Sequence, residues 1–250
     1  MNEYQTAVYD EYADTYDEGL AKLLGTNDID KFAEYKIQLL KCLCPISKFR
    51  NNNSQNIEIL DFGCGTGHSL SYLEKYYPEE GIHFSGCDVS RESLKIAKKN
   101  FPAAKFFLNT SVEEFGGISD QYDIVILACV LHHIAPPERQ QWIQAIIHKL
   151  KHGGKLIVFE HNLINPFTRK IVSKPENKAD DVNWMLKMSD IKKLLLCDTS
   201  VKIAWTGYTL FSLFRPFFMT SLERGLKWLP LGAQQCVMIE KNRYRREDFN

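Results

Sequence analysis

The chain has 250 residues, of which 44% are hydrophobic and 25% charged, as expected for a globular protein with one main core. Its 31 basic residues balance its 31 acidic residues, so no overall positive field favours nucleic acid as a partner. Seven scattered cysteines without a C-x-x-C pair are typical of reduced thiols in a cytoplasm. The acidic start of the chain lacks the apolar segment of a secretory signal, which again predicts a cytoplasmic location.

The first section of the chain, residues 1–50, has apolar and aromatic residues at helical spacing and is predicted to form a helical cap. After it, short β-rich runs alternate with helical patterns. The runs predicted as strands are 57–62, 83–88, 104–109, 122–130 and 155–161, and a short polar link is predicted at 111–121. Strands separated by helices in this rhythm predict βαβ units and a parallel sheet.

The rhythm changes after His161. One more helix is predicted over 189–196, and two strands, over 201–211 and 233–241, are expected to pair antiparallel. The sequence therefore predicts a Rossmann-like, doubly wound α/β domain with a mostly parallel seven-stranded sheet and an antiparallel last strand. This core domain is predicted to span 51–250, with insertions at about 162–188 and 210–232.

The segment IEILDFGCGTGHSL runs from the first predicted strand through Gly63, Gly65 and Gly67 into a helix. Glycine is needed where φ is positive or where the backbone lies against a ligand, so this turn is predicted to hold a nucleoside-bearing molecule. It differs from the dinucleotide fingerprint, because the third glycine comes one position early and His68 stands in its place. A turn that only tightens the packing of strand against helix is the structural alternative.

Together with Asp61, the run DFGCGTG resembles the first motif of class I S-adenosylmethionine-dependent methyltransferases. The next strand ends at Asp88, 25 residues after Gly63, where a carboxylate can accept hydrogen bonds from both hydroxyls of a ribose. NTSVEEF resembles the adenine-contacting turn of that family, and YDIVILACVLHHIAPP resembles its fourth motif. YDEYADTYD resembles a segment whose later tyrosine, here Tyr16, contacts the carboxylate end of the cofactor. The resemblance spans roughly residues 9–161 and the final strand pair.

The resemblance implies S-adenosyl-L-methionine as the cofactor and S-adenosyl-L-homocysteine as the product. The residues that it places at the cofactor are Tyr16, Asp61, Gly63, Cys64, Gly65, Gly67, Asp88, Val89, Ser111, Val112 and Cys129. Ser111 and Val112 stand where the family usually has Asp and Ala, so a weaker contact with the adenine amino group is expected. The structural alternatives are a capping or turn role for Asp88 and an amphipathic-helix role for Tyr16.

The segment EHNLINPFTRK concentrates polar side chains after the fifth predicted strand, where substrate recognition is expected. The predicted substrate-binding residues are His133, His161, Asn162, Asn165 and Arg169. The predicted catalytic residues are His133, His132 and His161, one of which would remove a proton from an oxygen or nitrogen acceptor. Neighbouring side chains do not share one face, so only one of the two adjacent histidines is expected to reach the substrate. The alternatives are a packing role for the histidines and a turn-shaping role for the two asparagines. No metal is predicted.

The sequence thus predicts an enzyme that moves a methyl group from the sulfonium to an O, N or C atom of a small molecule by in-line displacement. An NAD-dependent oxidoreductase and a non-catalytic S-adenosylmethionine-binding protein are the alternatives. Sugar-, quinone- and lipid-linked acceptors all stay open, as does the oligomeric state.

The segment 210–232 is rich in Phe, Leu and Trp. It could cover the site, pair with another subunit, contact a membrane surface or pack on its own domain. A transmembrane span over 203–222 is disfavoured, because Arg215 would lie at its centre and Pro216 follows.

Overall fold

A computed structural model describes residues 10, 13, 18–19, 21–22, 30–49, 56–174, 180–209 and 225–243. These residues build one seven-stranded sheet with helices packed on both of its faces. Tyr16 and residues 210–224 lie outside the described residues.

The strands and helices follow one another in nearly the predicted order. The strands are β1 (Ile57–Phe62), β2 (Ile82–Asp88), β3 (Lys105–Leu108), β4 (Tyr122–Ala128), β5 (Leu150–His161), β6 (Val201–Thr209) and β7 (Gln234–Lys241). The helices are α1 (Asp30–Leu43), α2 (His68–Tyr76), α3 (Arg91–Asn100), α4 (Val112–Gly117), α5 (Arg139–His148), α6 (Pro166–Val172) and α7 (Met188–Leu195). Short 3-10 turns span Ile46–Lys48, Leu131–His133 and Val182–Trp184.

The sheet has the order β3-β2-β1-β4-β5-β7-β6. β1 pairs in parallel with both β2 and β4, and β7 pairs antiparallel with β5 and β6. The predicted doubly wound sheet with an antiparallel last strand is therefore confirmed. The order reverses between β1 and β4, which opens a crevice beyond the carboxyl ends of the central strands.

Alternate residues of the central strands face two separate apolar cores. On one face Ile57 and Ile59 pack with Ile37 of α1, whereas on the other Leu60 and Phe62 pack with helix α5 through Trp142. This burial on both faces explains why the central strands read as continuous apolar runs. The helix α1 of the predicted cap thus contributes to the same core as the sheet.

Two local predictions differ from the structure. Residues 112–117 of the predicted polar link form α4, because the hydroxyl oxygen of Ser111 accepts a hydrogen bond from the Glu114 backbone N–H and caps the helix. β5 begins at Leu150, five residues before the predicted start, as Tyr122 pairs with Leu150 across a register shift.

Residues 201–209 of the apolar C-terminal section form strand β6. Across the described parts of the chain, none of the helices is long and apolar enough to cross a membrane.

Candidate active site

The turn after β1 uses its three glycines in two different ways. Gly63, Gly65 and Gly67 all have positive φ, at 74°, 53° and 89°. A Cβ on Gly63 would lie 2.6 Å from a methyl carbon of Val130, and one on Gly67 would lie 3.2 Å from the Cβ of Ala97. A Cβ on Gly65 would meet no described atom within 4 Å. Packing therefore accounts for the first and third glycines, whereas the second faces space that no described residue fills and that a ligand can occupy.

Asp88, the last residue of β2, connects the glycine turn after β1 to the turn after β2 by hydrogen bonds. Its Oδ2 accepts a hydrogen bond from the Gly65 backbone N–H over 2.8 Å, and its Oδ1 accepts one from the Ser90 N–H over 3.0 Å. Burial raises the pKa of the Asp88 carboxyl. Each oxygen of a carboxylate has a second acceptor position, so the turn-shaping role and the predicted ribose contact are compatible.

Asp61 lies near the carboxyl end of β1 and is only 2% exposed. Burial raises the pKa of its carboxyl to about 7; Lys36 of α1 opposes this shift, and the charge of Asp88 adds to it. The buried carboxyl of Asp61 and the half-buried carboxyl of Asp88 thus flank the glycine turn, with Lys36 as a nearby cation. A cationic ligand would relieve their unfavourable burial, whereas a pyrophosphate would be repelled. The residues present therefore fit a cationic nucleoside such as S-adenosylmethionine.

Cys129 follows β4 at the floor of the crevice and has a φ of 61°, the single positive φ of a non-glycine residue in the described chain. Its backbone N–H donates to the Phe159 carbonyl over 2.8 Å, and its Sγ lies 3.2 Å from the donating Nε2 of Gln234. Strained backbone of this kind often occurs at ligand sites. The strain supports the prediction that Cys129 lines the site, and Gln234 of β7 is a neighbour that the sequence did not indicate.

The predicted adenine side of the crevice lies beyond β2 and β3. Ser111 is half-buried and uses its hydroxyl oxygen as the cap of α4, while Val112 packs against the apolar core. Asn109 after β3 is buried, and its Oδ1 has no hydrogen-bond partner among the described residues. Such an orphan acceptor is better placed to receive a new donor than the oxygen of a serine that already caps a helix.

Three histidines and an aspartate converge on the other side of the crevice. The Nε2 atoms of His132, His133 and His161 lie 3.0, 3.7 and 3.9 Å from the carboxylate oxygens of Asp180. The ring centroids of the two adjacent histidines are 4.0 Å apart. The expectation that they point to different sides is wrong, because 131–133 form a 3-10 turn instead of continuing the strand. The His132 side chain is fully buried, whereas those of His133 and His161 are 22% and 25% exposed.

Glu160 of β5 contacts His132, the most buried of these histidines. It is fully buried; its Oε2 lies 2.5 Å from His132 Nδ1, and its Oε1 accepts the Leu131 N–H over 2.8 Å. Burial opposes the charge on His132, but Glu160 and Asp180 outweigh burial and raise its pKa to about 9. Burial and the charge of His132 lower the pKa of His133 to about 3 and that of His161 to about 4. The two exposed rings are therefore neutral near pH 7.

The predicted substrate residues of the β5–α6 segment are used mostly inside the fold. The Asn162 Nδ2 donates to the carbonyls of Pro230 and Gly232, over 3.0 and 2.7 Å. Asn165 caps α6 through its Oδ1 and donates from Nδ2 to the Leu231 carbonyl. These contacts favour the turn-shaping alternative for both asparagines. Arg169 lies exposed on α6.

Comparisons with known proteins agree with this geometry. A family model described as a methyltransferase domain matches residues 60–156. The arsenite methyltransferase of Mus musculus is 35% identical over 115 residues, which cover 41% of this chain and 30% of that protein. The carboxy-S-adenosyl-L-methionine synthase of Campylobacter lari is 29% identical over 135 residues, which cover 52% of this chain and 56% of that protein. The chain spans less than two thirds of the length of either relative.

Solved structures show the same fold over nearly the whole chain. The plantazolicin methyltransferase BamL aligns with a TM-score of 0.67 at 16% identity, covering 95% of this chain and 99% of that one. The magnesium protoporphyrin IX methyltransferase ChlM from Synechocystis PCC 6803 aligns with a TM-score of 0.59 at 16% identity, covering 97% of this chain and 99% of that one.

The chain therefore has the fold of these methyltransferase structures, and its residues 60–156 match a methyltransferase-domain family model.

Most of the predicted site residues of this chain lie along one edge of the sheet, at the carboxyl ends of β1, β2, β4 and β5. Cys64 and Val89 are buried beside Gly65 and Asp88. The sequence did not indicate Lys36, Asp180 or Gln234 as site residues, and it gave Glu160 no individual role. These four belong to four different elements or loops, so no local motif could have joined them.

Proposed function

We propose that this chain is a methyltransferase that binds S-adenosyl-L-methionine at the glycine turn and moves its methyl group to a small-molecule acceptor. The observation that carries the proposal is the pair of carboxyls, buried Asp61 and half-buried Asp88, on either side of a turn whose Gly65 faces space that no described residue fills. A cofactor with a sulfonium and an ammonium group supplies the positive charge that this pair favours. Bound there, the cofactor supplies an already activated methyl group.

The residues of the chain would hold the cofactor by complementary hydrogen bonds and charge. Asp88 has acceptor positions left for the ribose hydroxyls, and the unpartnered Asn109 Oδ1 or the Ser111 hydroxyl would accept from the adenine amino group. Asp61 would face the amino-acid end, where the resemblance also places Tyr16. Cys64, Val89, Val112 and Cys129 would form the apolar walls and floor.

The acceptor would lie beside His133 and His161, because these two rings keep exposed surface. Both rings are neutral near pH 7 and can accept a hydrogen bond from an acceptor hydroxyl, which fixes its direction. His132 would act as a positioning residue, since its ring is fully buried between Glu160 and Asp180. The main contribution of the chain is then alignment of the acceptor with the methyl group, an effect worth about 7–11 kcal/mol at best.

The proposal names the class of the acceptor, a small molecule, and no particular compound. The two structural neighbours are named for plantazolicin and for magnesium protoporphyrin IX. Arsenite is named for one curated relative. The acceptors named for these relatives are chemically unlike one another. The seven free cysteines agree with the proposed cytoplasmic location.

Calorimetric titration of the purified chain with S-adenosylmethionine, S-adenosylhomocysteine and NAD tests this proposal. We expect stoichiometric binding of both sulfur nucleosides, no heat with NAD, and weakened binding in Asp88→Asn. Asp120→Asn is the matched control, because Asp120 is an acid at the opposite edge of the sheet that pairs with Lys105. Binding of NAD alone would favour the oxidoreductase alternative and overturn the proposal.

Transfer itself is tested by incubating the chain with methyl-labelled cofactor and a panel of small acceptors, followed by mass measurement of the products. A mass gain of one methyl group supports methyl transfer. Cofactor binding without any product across the panel favours the non-catalytic alternative. A different mass change would assign another reaction to the same cofactor, as the name of the Campylobacter relative indicates for that protein.

A further inference from the structure

We propose that this chain binds one divalent transition-metal ion, Zn²⁺ as the probe ion, at the acceptor side of the crevice through His132, His133 and Asp180. The inference goes beyond the proposed function, since neither cofactor binding nor methyl transfer as described requires a metal. It also departs from the prediction, made from the sequence, that the protein has no metal site.

The spacing of the ligand atoms fits a coordination sphere. The ligand atoms of His132, His133 and Asp180 lie within 4.8 Å of one another. The Nε2 atoms of His132 and His133 lie 3.0 and 3.7 Å from Asp180 Oδ1. Two ligands held at roughly 2.0–2.1 Å from a tetrahedral zinc ion are about 3.3 Å apart, so the observed distances bracket the required one.

Glu160 provides the outer support that such sites use. Metal-bound histidines commonly donate their second ring N–H to a carboxylate, which fixes the tautomer and orients the ring. Here the Glu160 Oε2 lies 2.5 Å from His132 Nδ1, so this nitrogen carries the hydrogen and Nε2 faces Asp180. The second Glu160 oxygen accepts the Leu131 N–H, which holds the turn carrying both adjacent histidines. The carboxylate is therefore placed to set both the tautomer and the position of the ligands.

The type of donor points to a particular class of ion. Imidazole nitrogen with a carboxylate oxygen suits zinc and similar first-row ions, whereas magnesium and calcium prefer oxygen ligands alone. The ligands come from the turn after β4 and from the segment before Val182–Trp184, so the fold itself brings them together. The exposed edges of His133 and His161 leave access for an oxygen of the acceptor.

A proton on His132 is the simpler alternative to a metal ion in this cluster. If His132 carries a proton on both ring nitrogens, it can donate one hydrogen bond to Glu160 and one to Asp180. The three residues would then form a buried ion triad without a metal. The two occupants differ in what they predict for metal binding. A proton-filled triad has no reason to bind zinc stoichiometrically, whereas a metal site does.

The test is titration of the full-length, chelator-treated chain with Zn²⁺ by calorimetry and with Co²⁺ by visible absorption. We expect one equivalent to bind, and Asp180→Asn and His133→Gln each to weaken binding at least about tenfold. His83→Gln is the matched control, because His83 faces Glu58 in an exposed pair of the same kind. Circular dichroism of each variant checks that it is folded.

Absence of stoichiometric binding to the folded wild type would overturn the metal proposal and leave the proton-filled triad. Unchanged binding in both ligand variants would also overturn it, because the ion would then lie elsewhere. Since both readouts measure the metal alone, they succeed or fail independently of S-adenosylmethionine binding.

Discussion

The Asp88 carboxylate accepts a hydrogen bond from the Gly65 backbone N–H over 2.8 Å, and this contact joins the turn after β1 to the end of β2. The acid predicted to bind the ribose is therefore also part of the structure of the glycine turn. A substitution of Asp88 changes the shape of the site even before a ligand enters.

Asp88→Asn should consequently weaken both cofactor binding and the stability of the ligand-free chain. Replacing one carboxylate oxygen with a donor leaves either Gly65 or Ser90 without its acceptor. Loss of a hydrogen bond to a charged group costs about 1.5–3 kcal/mol, or roughly a tenfold to hundredfold loss of affinity. Chemical denaturation without ligand measures the first effect and calorimetry the second. Unchanged stability would show that Asp88 serves only the ligand.

Alanine substitutions of Gly63 and Gly65 should differ in their effects on stability and on cofactor binding. Gly63→Ala and Gly65→Ala both place an alanine at positive φ, which costs about 1–2 kcal/mol. Gly63→Ala should destabilise the chain further, because its Cβ would lie 2.6 Å from a Val130 methyl carbon. Gly65→Ala should instead affect cofactor binding more strongly than stability, since its Cβ enters open space. Equal effects of both variants on binding would contradict the assignment of that space to the cofactor.

Cofactor affinity should depend on pH through Asp61. Its folded pKa is about 7, whereas an unfolded aspartate titrates near about 3.9. The contribution of protonated Asp61 to the free energy of unfolding is therefore fully present below about pH 4 and is lost as the pH rises through about 7. A cationic cofactor favours the ionised form, so its binding below pH 7 should release a proton, and affinity should rise with pH by up to about tenfold per unit.

Calorimetry in two buffers of different ionisation enthalpy measures this proton release directly. Asp61→Asn should bind the cofactor with a flatter pH dependence and without the proton release. The same slope in wild type and variant would assign the proton to another group.

Glu160→Gln should destabilise the fold. The substitution removes the charge that Glu160 provides to buried His132, and a buried group left without its partner costs about 1–3 kcal/mol. Glu58→Gln is the control, because the Glu58–His83 pair has similar chemistry but is partly exposed and should cost less than about 1 kcal/mol. Urea denaturation of the chelator-treated proteins gives both values. An equal, small effect of the two substitutions would contradict the structural role of Glu160.

The sequence was a good guide where local rules decide the structure. The strand of Ile57–Phe62 was predicted with its observed bounds, because an apolar run followed by glycines leaves few alternatives. The positive φ of Gly63, Gly65 and Gly67 follows from the same reasoning.

Prediction was weaker where distant segments meet. Asp180 is 19 residues beyond His161 in the sequence, yet its Oδ2 lies 3.9 Å from the His161 Nε2. Only tertiary packing brings them together, so the sequence offered no spacing to suggest a cluster. Lys36 was hidden in the same way, because a lysine on an amphipathic helix has no local sign of which charged groups it faces.

A crystal structure of the chain with S-adenosylhomocysteine would test the central claim most directly. We predict the ribose hydroxyls within hydrogen-bond distance of Asp88, the amino-acid end beside Asp61, and the nucleoside against Gly65. Binding of the nucleoside away from this turn, with Asp61 and Asp88 both out of contact, would contradict the account.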